Sequence, residues 1–149
     1  MLEIRKAAAK DAEVLIDLYG NHLAAHPPRE PQSIVKWQEK IAQFESDPGY
    51  FIFVGEVEKR VVSSVTLVVV ENLTRNMRPY AVIENVVTHA DFRGKGYAKM
   101  LMQKATETAI ELGCYKIMLM TSSKEESTLR FYENCGFNRN EKTGFINRL

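Results

Sequence analysis

The chain has 149 residues, 45% of them hydrophobic and 26% charged, and a net charge of +1. That length suits one domain with a substantial core, and the charge balance leaves neither a nucleic-acid footprint nor a polybasic membrane patch. The longest apolar run, around Val61 to Val70, is broken by Ser63, Ser64 and Thr66 and is too short to span a bilayer.

The opening MLEIRKAAAKDAE is charged and lacks the apolar core of a signal peptide. Cys114 and Cys135 are not in a metal-ligand spacing, so free thiols in a reducing cytoplasm are expected. Leu2 and Ile4 alternate with Glu3 and Arg5, which predicts a half-buried strand over Leu2 to Ala7. Asp11 opens an amphipathic helix carrying Ala12, Leu15, Ile16 and Tyr19, and Gly20 or Asn21 is expected to end it. Asn21 to Pro31 holds His22, His26, Arg29 and three prolines, and reads as a loop or broken helical segment. A second helix is predicted from about Ser33 to Phe44, with Ile34, Trp37, Ile41 and Phe44 on one stripe, before an Asp47-Pro48-Gly49 turn.

Strands follow at Tyr50 to Glu56 and Val61 to Glu71, joined by a Glu58-Lys59-Arg60 hairpin connection. Asn72 to Pro79, with Arg75 and Arg78, is a polar loop before a strand over Tyr80 to Thr88. The next helix carries Ala98, Leu101, Met102, Ala105, Ala109 and Leu112 on one face and is capped by Gly113. Lys116 to Thr121 is a short buried strand. Ser123 and Glu126 have the spacing of a capping box for a helix running to about Asn134, with Gly136 closing it. Phe137 and then Thr143 to Arg148 are expected as short terminal strands. This order predicts a single α/β (α+β) domain with a mixed sheet.

The stretch with chemical content is Arg93-Gly94-Lys95-Gly96-Tyr97-Ala98, between a β-rich run and a helix. The first amides of a helix have no intrahelical acceptor, and the macrodipole there favours negative charge. Gly94 and Gly96 let the backbone lie close to a phosphate, and Arg93 and Lys95 add positive charge. It is not a Walker loop, and Lys99 stands where a dinucleotide fingerprint has its third glycine. Taken alone, the turn reads as a surface turn that starts a helix. His22 and His26 lie four apart, but Pro27 follows and no third ligand is evident, so no metal is expected.

The RGKGYA turn resembles the acyl-CoA pyrophosphate loop, Q/R-x-x-G-x-G/A, of the GNAT superfamily of N-acyltransferases. Phe131-Tyr132-Glu133-Asn134-Cys135-Gly136-Phe137 resembles that superfamily's second signature, a helix ending in F-Y-E-x-x-G-F. Ile83-Glu84-Asn85-Val86-Val87 and Gly113-Cys114-Tyr115-Lys116-Ile117 are locally similar to glucosamine-6-phosphate N-acetyltransferases, which usually carry an acidic residue where Asn85 stands. The resemblance implies a mostly antiparallel mixed sheet with helices on both faces and a splayed central strand pair. It further implies acetyl-CoA as co-substrate, with its pantetheine arm on the backbone of Val86, Val87 and Thr88. The diphosphate would lie on Arg93, Gly94, Lys95, Gly96, Tyr97, Ala98 and Lys99, and Phe131 would sit beside the cofactor.

Direct transfer of acetyl to an amine needs a base, an oxyanion donor and an acid for the departing thiolate. Tyr132 is the candidate acid, since a phenol of pKa near ~10 is protonated at neutral pH. Glu84 is the candidate base, directly or through water, and the Val87 amide a candidate oxyanion donor. Val82, Glu84, Val86 and Thr88 are expected on one strand face. The acceptor is expected between the first two helices and the Asn72 to Pro79 loop, with Arg29, Arg75 and Arg78 available to an acidic group such as a phosphate. Cys114 and Cys135 read as core. The resulting expectation is a cytoplasmic N-acetyltransferase for a small-molecule primary amine, with glucosamine 6-phosphate or a non-catalytic acyl-CoA-binding module as alternatives. A homodimer through the terminal strands is also anticipated.

Overall fold

A computed structural model describes residues 1–23 and 30–149 of the chain. His26 and Arg29, both expected near the acceptor, lie outside the described residues. The sheet has five strands, β1 (Glu3–Lys6), β2 (Tyr50–Val57), β3 (Arg60–Val70), β4 (Tyr80–Thr88) and β5 (Ile117–Leu119), in spatial order β1-β2-β3-β4-β5. The first three pairings are antiparallel and β4–β5 is parallel. β2 and β3 are joined by a two-residue turn in which Glu58 and Lys59 have φ of 48° and 65°. That is the hairpin geometry glycine or asparagine normally supplies.

Helices cover both faces. On one, Leu101, Met102, Ala105 and Ala109 of α4 (Tyr97–Glu111) pack on Val65, Leu67 and Ile83. On the other, Leu15 of α1 (Ala12–Asp17) and Ile41 of α2 (Ile34–Ser46) pack on Ile52, Val54 and Val87. α5 (Glu126–Asn134) sets Phe131 and Tyr132 against the α4 side of the core. A single turn, α3 (Thr74–Met77), interrupts the expected polar loop, with Arg75, Asn76 and Met77 in left-handed backbone. Ser33 caps α2 by accepting the Lys36 N–H, and Gly113 and Gly136 follow α4 and α5 at φ of 78° and 96°. No helix is long and apolar enough to cross a membrane among the described residues.

Several boundaries differ from the sequence reading. The first helix does not stop at Gly20; it widens into a π-helical turn over Leu18–Leu23. Ser123 is not an N-cap. Its Oγ accepts the Glu125 N–H, Glu125 is the cap position, and the Glu126 carboxylate is drawn to Arg130 and Arg139 instead of back to Ser123. β5 is three half-buried residues at the edge of the sheet, shorter and less covered than a buried strand over Lys116 to Thr121. Leu112 is exposed. Phe137 and Thr143 to Arg148 form no strand, and Phe145 and Ile146 are 87% and 61% exposed.

β1 is tied to the first helix by one buried charge. Arg5 Nη1 and Nη2 donate to the two Asp11 carboxylate oxygens at 2.7 and 2.9 Å, and Arg5 also reaches Glu56 on β2. The Ala8 N–H donates to Asp11 as well. Burial works to raise the Asp11 carboxyl, but the Arg5 guanidinium and the Ala8 amide outweigh it and hold it below its ordinary value. A carboxyl depressed in the folded state contributes stability above its unfolded pKa, lost as pH falls through the folded value. Asp11→Ala should therefore cost roughly 2–3 kcal/mol in a urea melt at neutral pH, less than a fully buried pair because Arg5 is partly exposed. The difference from the parent should shrink as the melt is repeated at progressively lower pH.

Candidate active site

The site is organised by an irregularity in β4. From Thr66↔Glu84 to Ser64↔Val87, β3 advances two residues while β4 advances three. The extra residue is Asn85, at φ 52°, a left-handed conformation that asparagine tolerates better than most side chains. The bulge reverses the side-chain alternation. Ile83 and Val86 both belong to the α4 side, whereas Val87 packs with α1 and α2. The expectation that Val82, Glu84, Val86 and Thr88 share a face is thereby corrected, since strict alternation does not survive an inserted residue.

The parallel pairing with β5 ends at the same level. It covers only Ala81↔Ile117, Val82↔Met118 and Ile83↔Leu119, so Glu84 to Thr88 have no strand partner on that side among the described residues. The splayed strand pair is thus present. Within this open stretch the Thr88 carbonyl accepts Arg93 Nε at 3.1 Å, and the Val87 carbonyl accepts the Ser63 hydroxyl at 2.9 Å.

At the end of β4, a 3₁₀ turn over Ala90–Phe92 leads into the glycine loop. Gly94 and Gly96 have φ of 76° and 79°, and a Cβ built on either would meet no atom within 4 Å. Space therefore lies over both glycines, as a backbone-bound phosphate requires. Gly96 is the N-cap of α4, and the first intrahelical bond is Met100 N–H to its carbonyl at 3.1 Å. The amides of Tyr97, Ala98 and Lys99 precede that bond and are the orphan donors of the helix start. Tyr97 is half-buried against the core, and Lys95 lies over the Phe92 ring at 5.1 Å. Arg93 does not point outward as a free charge: besides Thr88 it donates to the His22 carbonyl at 3.0 Å, tying the loop to the π turn.

His22 itself accepts the Ala90 N–H on Nδ1, and its ring lies 4.1 Å from that of His89. Asp17, His22 and His89 hold possible ligand atoms within 4.8 Å of one another, a juxtaposition invisible in a sequence where the histidines stand far apart. The Arg60 guanidinium sits 3.0 Å from His89 Nε2 and Arg93 is bonded to the His22 backbone, so this cluster works as a hydrogen-bonded clasp in a cationic setting.

Tyr132 is half-buried on α5, edge-on to Phe131 at 5.1 Å. Burial pushes its phenol up, and the neighbouring Cys135 thiol and the Glu84 carboxylate add to that shift. Tyr50, on the opposite side of the sheet, is raised by burial, then by Tyr19 and by Glu84. Glu84, exposed on its strand, is therefore within electrostatic reach of both phenols. Burial also pushes both cysteine thiols up, which keeps them protonated.

Between α1, α2 and the sheet lies a cavity of about 330 Å³, at the small end for ligand sites. Tyr19, Trp37, Phe44 and Tyr50 give it aromatic lining, and Asn85 of the bulge reaches it from β4. Two further polar residues on α2, Lys36 and Lys40, stand at it as well. Sequence reading assigned Trp37 and Phe44 to a core stripe and did not single out these lysines or Thr66; aromatic and lysine spacing on an amphipathic helix carries no mark of a cavity. Arg75 and Arg78 do not line it. Arg78 donates to the carbonyls of Gly113 and Cys114 at 3.1 and 3.2 Å, closing the end of α4, and Arg75 stacks over Tyr115.

With the geometry described, the likenesses to known proteins can be set beside it. The Acetyltransferase (GNAT) family profile matches residues 14–137. A glucosamine 6-phosphate N-acetyltransferase of Trypanosoma brucei brucei is 32% identical over 143 residues, covering 95% of this chain and 92% of that protein. A solved structure from Agrobacterium tumefaciens str. C58, described only as an acetyltransferase, is 39% identical at a TM-score of 0.86, covering 99% of each chain. The glucosamine-6-phosphate N-acetyltransferase structure from Arabidopsis thaliana shares the fold at a TM-score of 0.86 and 23% identity, over 100% of this chain and 98% of that one. The open strand edge, the glycine loop on a helix start and these likenesses agree: the chain belongs to the GNAT family and is an acetyltransferase.

Proposed function

We propose that the protein moves an acetyl group from acetyl-CoA directly to the primary amine of a small molecule. The observation that carries this reading is one coincidence of level. The β4–β5 pairing stops at Ile83, and the freed edge of β4 leads, through the turn at Ala90–Phe92, to a glycine loop with open space over Gly94 and Gly96 that begins α4. A pantetheine arm could add to the edge of Val86, Val87 and Thr88 as an extra strand, and the diphosphate could rest on the amides that open α4. Lys95 contributes charge, while Arg93 is spent in holding the loop. Phe131 lies beside Tyr132 on the α5 side of the gap.

In transfer, the amine nitrogen forms the new bond to the acetyl carbon and the carbon–sulfur bond breaks. Glu84 takes the proton the amine must lose, directly or through water. Tyr132 supplies a proton to the departing sulfur, and the Val87 amide is the candidate donor to the oxyanion. The raised phenol of Tyr132 retains its proton throughout the neutral range, as an acid requires. Relatives named for glucosamine 6-phosphate make that amino sugar one acceptor to assay. A homodimer belongs to the same reading, with the exposed Phe145 and Ile146 of the unpaired tail as the surface a second copy covers.

Two measurements test the assignment. Gly96→Val places a β-branched side chain at positive φ and over the proposed diphosphate site. It should weaken acetyl-CoA binding at least about tenfold by calorimetry while the circular dichroism melt stays cooperative; an unchanged Kd would remove the loop from the site. Tyr132→Phe should lower kcat by roughly 10²-fold with acetyl-CoA affinity intact. Because the phenol is raised, the parent enzyme should lose no activity from this group until the pH exceeds about 10.

A further inference from the structure

The cavity beside Asn85 has an unusual polar arrangement. β3 carries three fully buried hydroxyls, on Ser63, Ser64 and Thr66. The first donates to the Val87 carbonyl and the second to the Phe53 carbonyl. The third, Thr66 Oγ1, has no partner among the described residues, and neither has the buried Tyr19 Oη; both residues line the cavity. Leaving a buried hydroxyl unpaired costs about 1–3 kcal/mol, so two at one cavity mark a place where a ligand supplies the missing bonds. Thr66 stands opposite Glu84 in the β3–β4 register, so this is the end nearest the proposed base.

The rest of the lining is chemically different. Trp37, Phe44 and Tyr50 are aromatic, and Phe44 and Tyr50 are stacked at 3.8 Å. Lys36 and Lys40 are exposed one helical turn apart on α2, and neither has an acidic partner among the described residues. The lining thus combines two unpaired hydroxyls, an aromatic wall and two lysines, of which Lys40 donates to Gln43 Oε1 at 2.9 Å and lies over the Phe44 ring. A sugar phosphate would satisfy the lysines but would bring hydroxyls into an aromatic slot with few polar atoms to meet them.

We infer that the acceptor is a primary amine on an aromatic or other apolar body that ends in an anionic group, its amine held at the hydroxyls of Thr66 and Tyr19 and its anion at Lys36 and Lys40. The inference rests on the acetyl-transfer reading and names the substrate class of that same site. It takes the cavity, and not Arg75 or Arg78, as the source of acceptor specificity.

The test uses the intact protein and two independent readouts. One is CoA release from acetyl-CoA with 4-(2-aminoethyl)benzoate, phenethylamine, glucosamine 6-phosphate and spermidine as acceptors. The other is binding of the same amines followed by fluorescence of Trp37, the single tryptophan of the chain. The aminoethylbenzoate should have a kcat/KM at least about tenfold above each of the others, the worth of one charge-assisted contact. Lys36→Glu with Lys40→Glu should erase its advantage over phenethylamine while acetyl-CoA affinity is unchanged. Thr66→Val, which removes the orphan hydroxyl at nearly constant shape, should raise the KM for the amine without lowering Tm; a merely structural threonine would lower Tm and leave KM alone.

Glucosamine 6-phosphate turned over as well or better, with no Trp37 response to the aminoethylbenzoate, would overturn the inference and leave acetyl transfer standing. Saturable Trp37 quenching by the aminoethylbenzoate with no CoA release would uphold the cavity's specificity and count against the acetyl-transfer reading alone.

Discussion

One inserted residue governs the centre of this molecule. At Asn85 the β4 backbone swings into left-handed space, and the ladder to β3 skips. The skip brings Val86 to the α4 side and Val87 to the α1–α2 side, the reverse of strict alternation from Ile83, so both cores are completed by neighbouring residues of one strand. Thr66, beside the skip, keeps its hydroxyl but finds no protein partner for it among the described residues. The same level is where β5 leaves β4. An open edge and a cavity thus meet at one level of β4, and on the proposed reading that level is where a donor and an acceptor come together.

The second constraint is the clasp at the end of β4. A π turn offers wider spacing than an α-helix and lets His22 meet His89 and the Ala90 amide. Arg93 then joins Thr88 to His22, so the position of the glycine loop is set by the first helical segment as well as by its own strand. On the other face, the Arg5–Asp11 pair fixes where that segment starts relative to β1. The loop is thus braced from sequence-distant elements, which is what a preorganised binding backbone needs.

How much of this was legible in the chain follows from the range of each interaction. β4, the glycine turn, α4 and the closing glycines at Gly113 and Gly136 are local features, and periodicity together with positive-φ residues disclosed them. The bulge was hidden because asparagine, not glycine, occupies it. Ser123 and Glu126 have capping-box spacing, yet Arg139, thirteen residues further on, captures the glutamate. Arg75 and Arg78 were singled out because charge in a loop is all a sequence can display; their contacts in the structure lie on the segment that ends α4. The tail, expected as short terminal strands, joins no sheet, and Phe145 and Ile146 stay exposed. The cavity draws on five separate segments, and no window along the chain contains its pattern.

The fate of Arg93 has a consequence for the environments in which the protein can work. Its guanidinium is occupied by two backbone carbonyls, so on the proposed reading the diphosphate is met chiefly by peptide dipoles at the start of α4, with Lys95 as an accessory. Dipoles at contact distance are far less subject to Debye screening than mobile side-chain charges reaching across solvent. Retention of the donor should then vary little between dilute buffer and high ionic strength, and the loop would owe its selectivity to shape more than to net charge.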